Sequence, residues 1–418
     1  MNRILVINPG STSTKIAVFD DETAVLETTA AHGGREQLAG SVIDQGPARK
    51  DMILAALREN GVPEQSITHV VGRGGKLRPI EAGTYEINEK MVADLRRPGN
   101  AAHASALGGL IAYELGKQWG VPAYIVDPIV VDELEPVARL SGLAGIERRS
   151  VFHALNTRSL LRRAAKQLGV AYEDARFIAV HIGGGITVSA HRYGRVIDVN
   201  DALGGDGPFT PNRTGSLPLI PVIEMCYSGD YTYDQMIELV QSRGGLHSYL
   251  NTDDMLEANE MIKQGDEFAA LVIDAMAYQI CKSIGAMFAV LEGRVNAILL
   301  TGGIAHDIRF TALIKKRVDM LAPVLTFAGE NEMRALAEGA LRVIGARNAS
   351  PGTERRALSG CGRRGVSTGI YPFFTVLRAL PKNKIVFAKF ILFSTIESNV
   401  RSNFPLIAIY FKSLLISG

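Results

Sequence analysis

The feature that most constrains this chain is a unit that occurs twice: strand, small-residue turn, strand. Residues 3–20 (RILVINPGSTSTKIAVFD) open on an apolar run and pass through eight consecutive small or polar residues. They then continue apolar through Ile16, Val18 and Phe19. Residues 177–190 (FIAVHIGGGITVSA) repeat the rhythm about 170 residues later around a triple glycine, and 195–199 (RVIDV) supply a third strand. Residues 297–304 (AILLTGGI) read as a further strand that ends in a glycine pair before a helical stretch over 309–321. Two copies of one unit predict an α/β fold of two duplicated lobes facing each other across a cleft.

Helical spacing fills the chain between these units. Residues 101–120 are rich in Ala and Leu, and 151–168 repeat apolar residues at a helical period. Residues 266–291 read as a long, mostly apolar helix buried in a core. Residues 332–344 place Met333, Leu336, Ala337, Ala340, Leu341 and Ile344 on one side of another. This divides the chain into a first lobe over 1–145, with the helix 332–345 packing back on it, and a second lobe over 146–330. Residues 346–418 form an atypical tail, either an accessory extension or a non-native or disordered segment.

Charge separates the tail from the rest. From Ser350 onward there are ten Lys and Arg against two acidic residues, which leaves 35 basic and 41 acidic in the first 349. A body with that balance lacks the basic face of a nucleic-acid binder. Met1 runs within three residues into a strand-like ILVI, no long apolar span is uninterrupted, and Cys226, Cys281 and Cys361 are scattered. A cytoplasmic protein with no membrane segment, zinc site or disulfide framework is expected.

The turns carry the chemistry. Asn8, Ser11, Thr12, Ser13 and Lys15 belong to a turn whose backbone N–H groups and hydroxyls suit phosphate oxygens. It is no Walker loop, because GxxxxGK[ST] is absent and a strand follows; the plain alternative is a hairpin with a polar turn. In the second unit His181 precedes Gly183, Gly184 and Gly185, which let backbone approach a polyanion without Cβ interference. Gly302, Gly303 and Ile304 end the third segment, where glycine allows a nucleobase and ribose to pack on the backbone.

With these segments in hand, the sequence resembles the butyrate kinases of the acetokinase family, within the actin/sugar-kinase/Hsp70 ATPase superfamily. The resemblance runs over residues 1 to about 345 and includes 69–75 (HVVGRGG), 127–133 (DPIVVDE), 149–153 (RSVFH), 212–215 (NRTG) and 330–334 (ENEMR). Acetate kinases resemble it more distantly, with Asn-Gly-Ala in place of Gly184-Gly185-Ile186 and His-Gly-Gly in place of Arg73-Gly74-Gly75. The resemblance implies two ribonuclease-H-like or actin-like lobes and reversible transfer between ATP and a short carboxylate such as butyrate or a branched relative. It further implies Mg²⁺ and a homo-oligomer.

Joining two anions makes such catalysis largely a matter of positioning and charge neutralisation. Arg213 resembles the family's transition-state arginine, and Arg73 stands where a clamp for the carboxylate or transferring phosphate is needed. His153 resembles a histidine that bonds the transferring group; a capping histidine is the alternative. Asp127, after the strand 123–126, resembles the catalytic aspartate and a metal ligand. Glu332 resembles a second metal carboxylate, with Glu330 its rival. Asp253 is either a ribose or adenine contact or the N-cap of a helix near Met255. Phe152, Val70 and Val71 are candidates for the acyl pocket. A sugar kinase of the same superfamily and a non-catalytic ATP-binding module are the competing readings.

Overall fold

The computed structural model describes residues 1–10, 13–31, 42–97, 99 and 104–348, all within one compact unit, Met1–Ser350. Ser11, Thr12, Cys361 and the tail from residue 349 onward lie outside the described residues.

The strands are β1 (Arg3–Pro9), β2 (Ser13–Asp20), β3 (Thr23–Ala31), β4 (His69–Arg73), β5 (Thr84–Glu86), β6 (Ala123–Val126), β7 (Arg176–Ile182), β8 (Ile186–Arg192), β9 (Arg195–Val199), β10 (Ala297–Gly302) and β11 (Val324–Ala328). The α-helices are α1 (Gly46–Glu59), α2 (Glu89–Leu95), α3 (Ser105–Trp119), α4 (Pro136–Arg139), α5 (Ala154–Leu168), α6 (Leu219–Tyr227), α7 (Tyr233–Gln241), α8 (Gly245–Leu250), α9 (Met255–Lys263), α10 (Glu267–Val290), α11 (Ile308–Val318) and α12 (Glu332–Asn348). The last helix thus continues a turn past the apolar side that announces it in the sequence.

These elements build two sheets, ordered β3-β2-β1-β4-β6-β5 and β9-β8-β7-β10-β11. The pairing is the same in both. The first three strands of each lobe are antiparallel neighbours, and the next two join in parallel. Even the irregularities correspond: the second strand shifts register against the third between Val18 and Phe19 in one lobe, and between Ala190 and His191 in the other. The duplication read from the sequence is therefore a duplication of fold. β5 is an extra antiparallel edge on the first sheet.

The central strands of both sheets are covered on both faces, which explains apolar runs such as ILVI and FIAV where a half-exposed strand would alternate. Leu5, Ile7, Ile16, Val18 and Val70 face α1 and α3, while Ile4, Val6, Phe19, Val71 and Val126 face Leu336, Ala337, Ala340 and Ile344 of α12. In the second sheet Ile178, Val180, Val188 and Leu300 face α10 and α11, and Phe177, Ala179 and Leu299 face Leu160, Leu161 and Ala164 of α5. The exchange is reciprocal. α5 follows the first sheet and covers the second; α12 follows the second and covers the first.

The buried helix expected over 266–291 is buried on one side only. Met276, Ile280 and Ile284 of α10 are enclosed, whereas Phe268, Leu271 and Tyr278 are exposed. α10 is long and apolar enough to cross a bilayer by composition, but its enclosed face is occupied by the second lobe's core.

One close approach positions Arg73. A Cβ on Gly72 of β4 would lie 2.0 Å from the Gly108 carbonyl oxygen, and one on Gly108 would lie 2.6 Å from that of Arg73. Glycine in a helix interior costs about 1 kcal/mol relative to Ala. Here it lets α3 press on the end of β4, where Arg73 reaches Glu332 at the start of α12.

Candidate functional site

The carboxyl ends of β1, β4, β6 and β7 meet around the junction between β11 and α12. From the first lobe, Arg73 Nη1 donates to Glu332 Oε2 at 2.6 Å, and Asn8 Nδ2 donates to the same oxygen at 2.7 Å. From the second, His181 Nε2 lies 3.2 Å from Glu330 Oε1. The residues Glu330 and Glu332 thus tie the ends of β1 and β4 to the end of β7. The two carboxylates left as rivals by the sequence have different partners.

A hollow between the lobes is lined by Arg73, Asp127, His153, Asn156 and Glu332, with Gly74, Pro128, Ile129, Ala154 and Leu155 as its apolar wall. Asp127 follows β6 as expected and has φ +37, an uncommon value for a residue with a side chain. Its backbone N–H donates to the Gly83 carbonyl at 2.9 Å, and its Oδ1 accepts from the Gly83 N–H at 2.8 Å. Arg158 Nε stands 3.3 Å from that same Oδ1. Asp127 is only 3% exposed.

His153 precedes α5, but its side chain does not cap the helix. Its Nδ1 instead lies 3.2 Å from Thr187 Oγ1, and its ring stacks on His181 at 3.6 Å between centroids, 11° from parallel. Burial pushes His153 well below the ordinary imidazole value, and the positive charges of Arg73 and Arg213 push the same way. His153 is therefore a neutral ring at pH 7. The hydrogen bond with His181 holds the Glu330 carboxyl below the usual range; burial opposes this, and the charges of Arg73 and Lys15 reinforce it.

The triple glycine divides by role. Thr210 Oγ1 donates to the Gly184 carbonyl at 2.8 Å and accepts from the Arg213 N–H at 3.0 Å, tying the NRTG loop to the turn. A Cβ on Gly185 would lie 2.3 Å from Arg213 Nη1 and 3.4 Å from His153 Cε1. Gly185 is thus the space in which the guanidinium lies. A Cβ on Gly183 would come within 3.2 Å of His181 Nε2, while Gly184 faces open space. Arg213 Nη1 donates to the Ala202 carbonyl at 2.9 Å, and its buried Nε has no hydrogen-bond partner.

Three expectations are corrected. Phe152, Val70 and Val71 are 2% exposed or less, belong to the cores and do not line the hollow beside Arg73. Gly302 has φ +94 and its side-chain position is filled by backbone, since a Cβ would lie 2.3 Å from the Ile182 carbonyl oxygen. Gly303 alone of that pair is open, and Ile304 packs partly buried against the second lobe's core. The cap of α9 is Asp254, which accepts from the Leu256 N–H at 2.7 Å; Asp253 instead accepts from Asn212 Nδ2 at 3.5 Å.

In the first turn Ser13 and Lys15 pair along β2, with Lys15 opposite Asn8, and the Gly10 N–H donates to the Ser13 carbonyl at 2.7 Å. Sequence reasoning missed what lies beneath this turn. Arg49 of α1 is 1% exposed and donates to the Gly10 carbonyl at 2.7 Å and to Gln45 Oε1 at 2.7 Å. It also missed Asn156, one turn along α5 from His153. That i, i+3 spacing was the available signal.

A model of the acetokinase family matches residues 141–350. Among solved structures, Porphyromonas gingivalis acetate kinase aligns with a TM-score of 0.70 at 18% identity, covering 82% of this chain and 100% of that one. Entamoeba histolytica acetate kinase gives 0.68 at 16%, covering 82% and 100%. A propionate kinase from Francisella tularensis subsp. tularensis SCHU S4 gives 0.66 at 17%, covering 81% and 99%. At these identities the likeness establishes the two-lobed fold.

Proposed function

This chain belongs to the acetokinase family, the carboxylate phosphotransferases, and on that premise we propose that it transfers the γ-phosphoryl group of ATP to butyrate or a similar short or branched acid. The observation that carries the reading is that Arg73 from one lobe and Arg213 from the other both come near His153, which stacks on His181. Two cations and a neutral ring converge where two anions must be brought together.

Arg73 would hold the acceptor carboxylate, with the alkyl chain along Pro128, Ile129, Ala154 and Leu155. Arg213 would stabilise charge on the transferring group, whose oxygens its fork can bond while staying charged. His153 would donate as a neutral ring. Asn8, Ser13, Lys15 and Gly183–Gly185 would cradle the phosphates, with Gly303, Ile304 and Asp253 toward the nucleoside. Ser11 and Thr12, in the same turn, belong to this proposal by sequence alone. Closure of the lobe 1–145, with helix 332–345, on the lobe 146–330 would exclude water from the transfer.

The residues present fit a magnesium ion. Asp127 Oδ2 and Glu332 Oε1 make no hydrogen bond among the described residues, and both carboxylates line the same hollow, whereas Glu330 lines a neighbouring one. Mg²⁺ takes one or two carboxylates together with phosphate and water. Bound there, it would neutralise charge on the phosphate oxygens.

Trapping acyl phosphate with hydroxylamine tests the reading across acids from acetate to branched valerates. Hydroxamate should form fastest with a four- or five-carbon acid. Formation with none of them would end the proposal, and a sugar-dependent release of ADP would replace it with the sugar-kinase alternative.

A further inference from the structure

Asn156 stands between the hollow that holds Arg73 and the neighbouring one that holds Glu330, and it lines both. It is 5% exposed. Its Nδ2 lies 3.1 Å from His181 Nδ1 and 3.4 Å from Thr301 Oγ1. Thr301 gives its only hydroxyl hydrogen to the Gly329 carbonyl at 3.0 Å, so toward Asn156 it can only accept. That requirement turns the nitrogen of the amide, with its two hydrogens, toward both Thr301 and His181. Facing an N–H donor, His181 Nδ1 must be the bare nitrogen of the ring, and the proton of a neutral imidazole then sits on Nε2. Nε2 is the atom directed at Glu330 and the mouth of the glycine turn.

We propose that Asn156 is a positioning residue that fixes the tautomer and orientation of His181, keeping its Nε2–H directed at the phosphate path. The chain of contacts runs from the Gly329 carbonyl through Thr301 and Asn156 to His181. Because His153 stacks on His181, the same bond sets the plane of the second ring. A role confined to helix stability would leave the tautomer of His181 untouched. The inference rests on the kinase reading for its effect on rate, but not for its effect on the ring.

The test uses the full chain labelled with ¹⁵N-histidine, comparing Asn156→Ala and Asn156→Asp with the parent by imidazole ¹⁵N spectra and by steady-state kinetics. The parent should show His181 protonated on Nε2. Asn156→Ala should give a mixture of tautomers, and Asn156→Asp, which replaces a donor by an acceptor, should move the proton to Nδ1. kcat should fall about tenfold or more in both, with the KM for ATP changed less than about threefold. An unchanged His181 tautomer in both variants would overturn the proposal. If neither variant folds, Thr301→Val removes the acceptor that orients the amide and should loosen the tautomer in the same way; a ring that stays fixed there is equally fatal. A parent that forms no acyl phosphate would sink the kinase reading, leaving the spectra to decide the role of Asn156.

Discussion

The turns of the two hairpins share strand order and register, yet an arginine serves each in a different way. Beneath the first turn Arg49 is sealed from solvent, and its guanidinium is spent on the Gly10 carbonyl and Gln45. Beside the second turn Arg213 lies in the space left by Gly185, with one bond to the Ala202 carbonyl and its charge near His153. One arginine holds a turn in shape; the other stands where a substrate would pass. Duplication supplied two similar turns, both proposed to cradle phosphate, and side chains from outside the hairpins set them apart.

Substitution of the two arginines should separate these roles most strongly. Arg213→Ala should lower kcat about a hundredfold or more while ATP binding persists. Arg49→Ala removes the buried guanidinium that joins the Gly10 carbonyl to Gln45 and should cost about 1–2 kcal/mol in urea unfolding, with kcat of the folded enzyme changed only a few-fold. The contrast breaks if Arg49→Ala matches the catalytic loss without losing stability.

The hairpins differ next at the register shift of their second strands, which falls at Phe19 in β2 and at His191 in β8. Both side chains are 1% exposed, but only the second can take a proton. Burial chiefly, with help from Arg158, lowers His191 from 6.5 to about 3. Between those values the unfolded chain binds a proton that the folded chain does not. Stability is therefore complete above about pH 6.5 and declines as pH falls toward 3, by about 1.4 kcal/mol per pH unit. His191→Gln should lose about 2 kcal/mol less than the parent between pH 7 and pH 5, read by urea unfolding at both. Equal losses would place the acid sensitivity elsewhere.

The smallest of these effects concerns the glycines. Gly185→Ala should displace the Arg213 guanidinium and lower kcat about tenfold, whereas Gly184→Ala, facing open space, should leave Arg213 in place and act chiefly on the KM for ATP. Equal effects would mean that the turn tolerates or rejects side chains as a whole.

The strands were legible because sheets covered on both faces leave unbroken apolar runs, and the turns because long small-residue stretches are unusual between such runs. Arg49 and Asn156 were not. An arginine or asparagine on a helix is ordinarily solvated, and only the packing of α1 under one turn and α5 beside the other gives these two a task. The reciprocal exchange of α5 and α12 was half visible: the apolar side of 332–344 indicated a partner, but nothing in the spacing of 154–168 told which sheet it would cover. Gly302 reads as a ligand contact in the sequence because a glycine that admits a ligand and one that admits backbone look alike there.

Hydrogen exchange at the two turns, with and without magnesium and a non-hydrolysable ATP analogue, addresses the proposed common enclosure of a triphosphate most directly. Amides of Gly10 and Ser13–Lys15 should slow together with those of Gly183–Gly185. Protection confined to one turn, with the other unaffected at saturating nucleotide, would contradict the account.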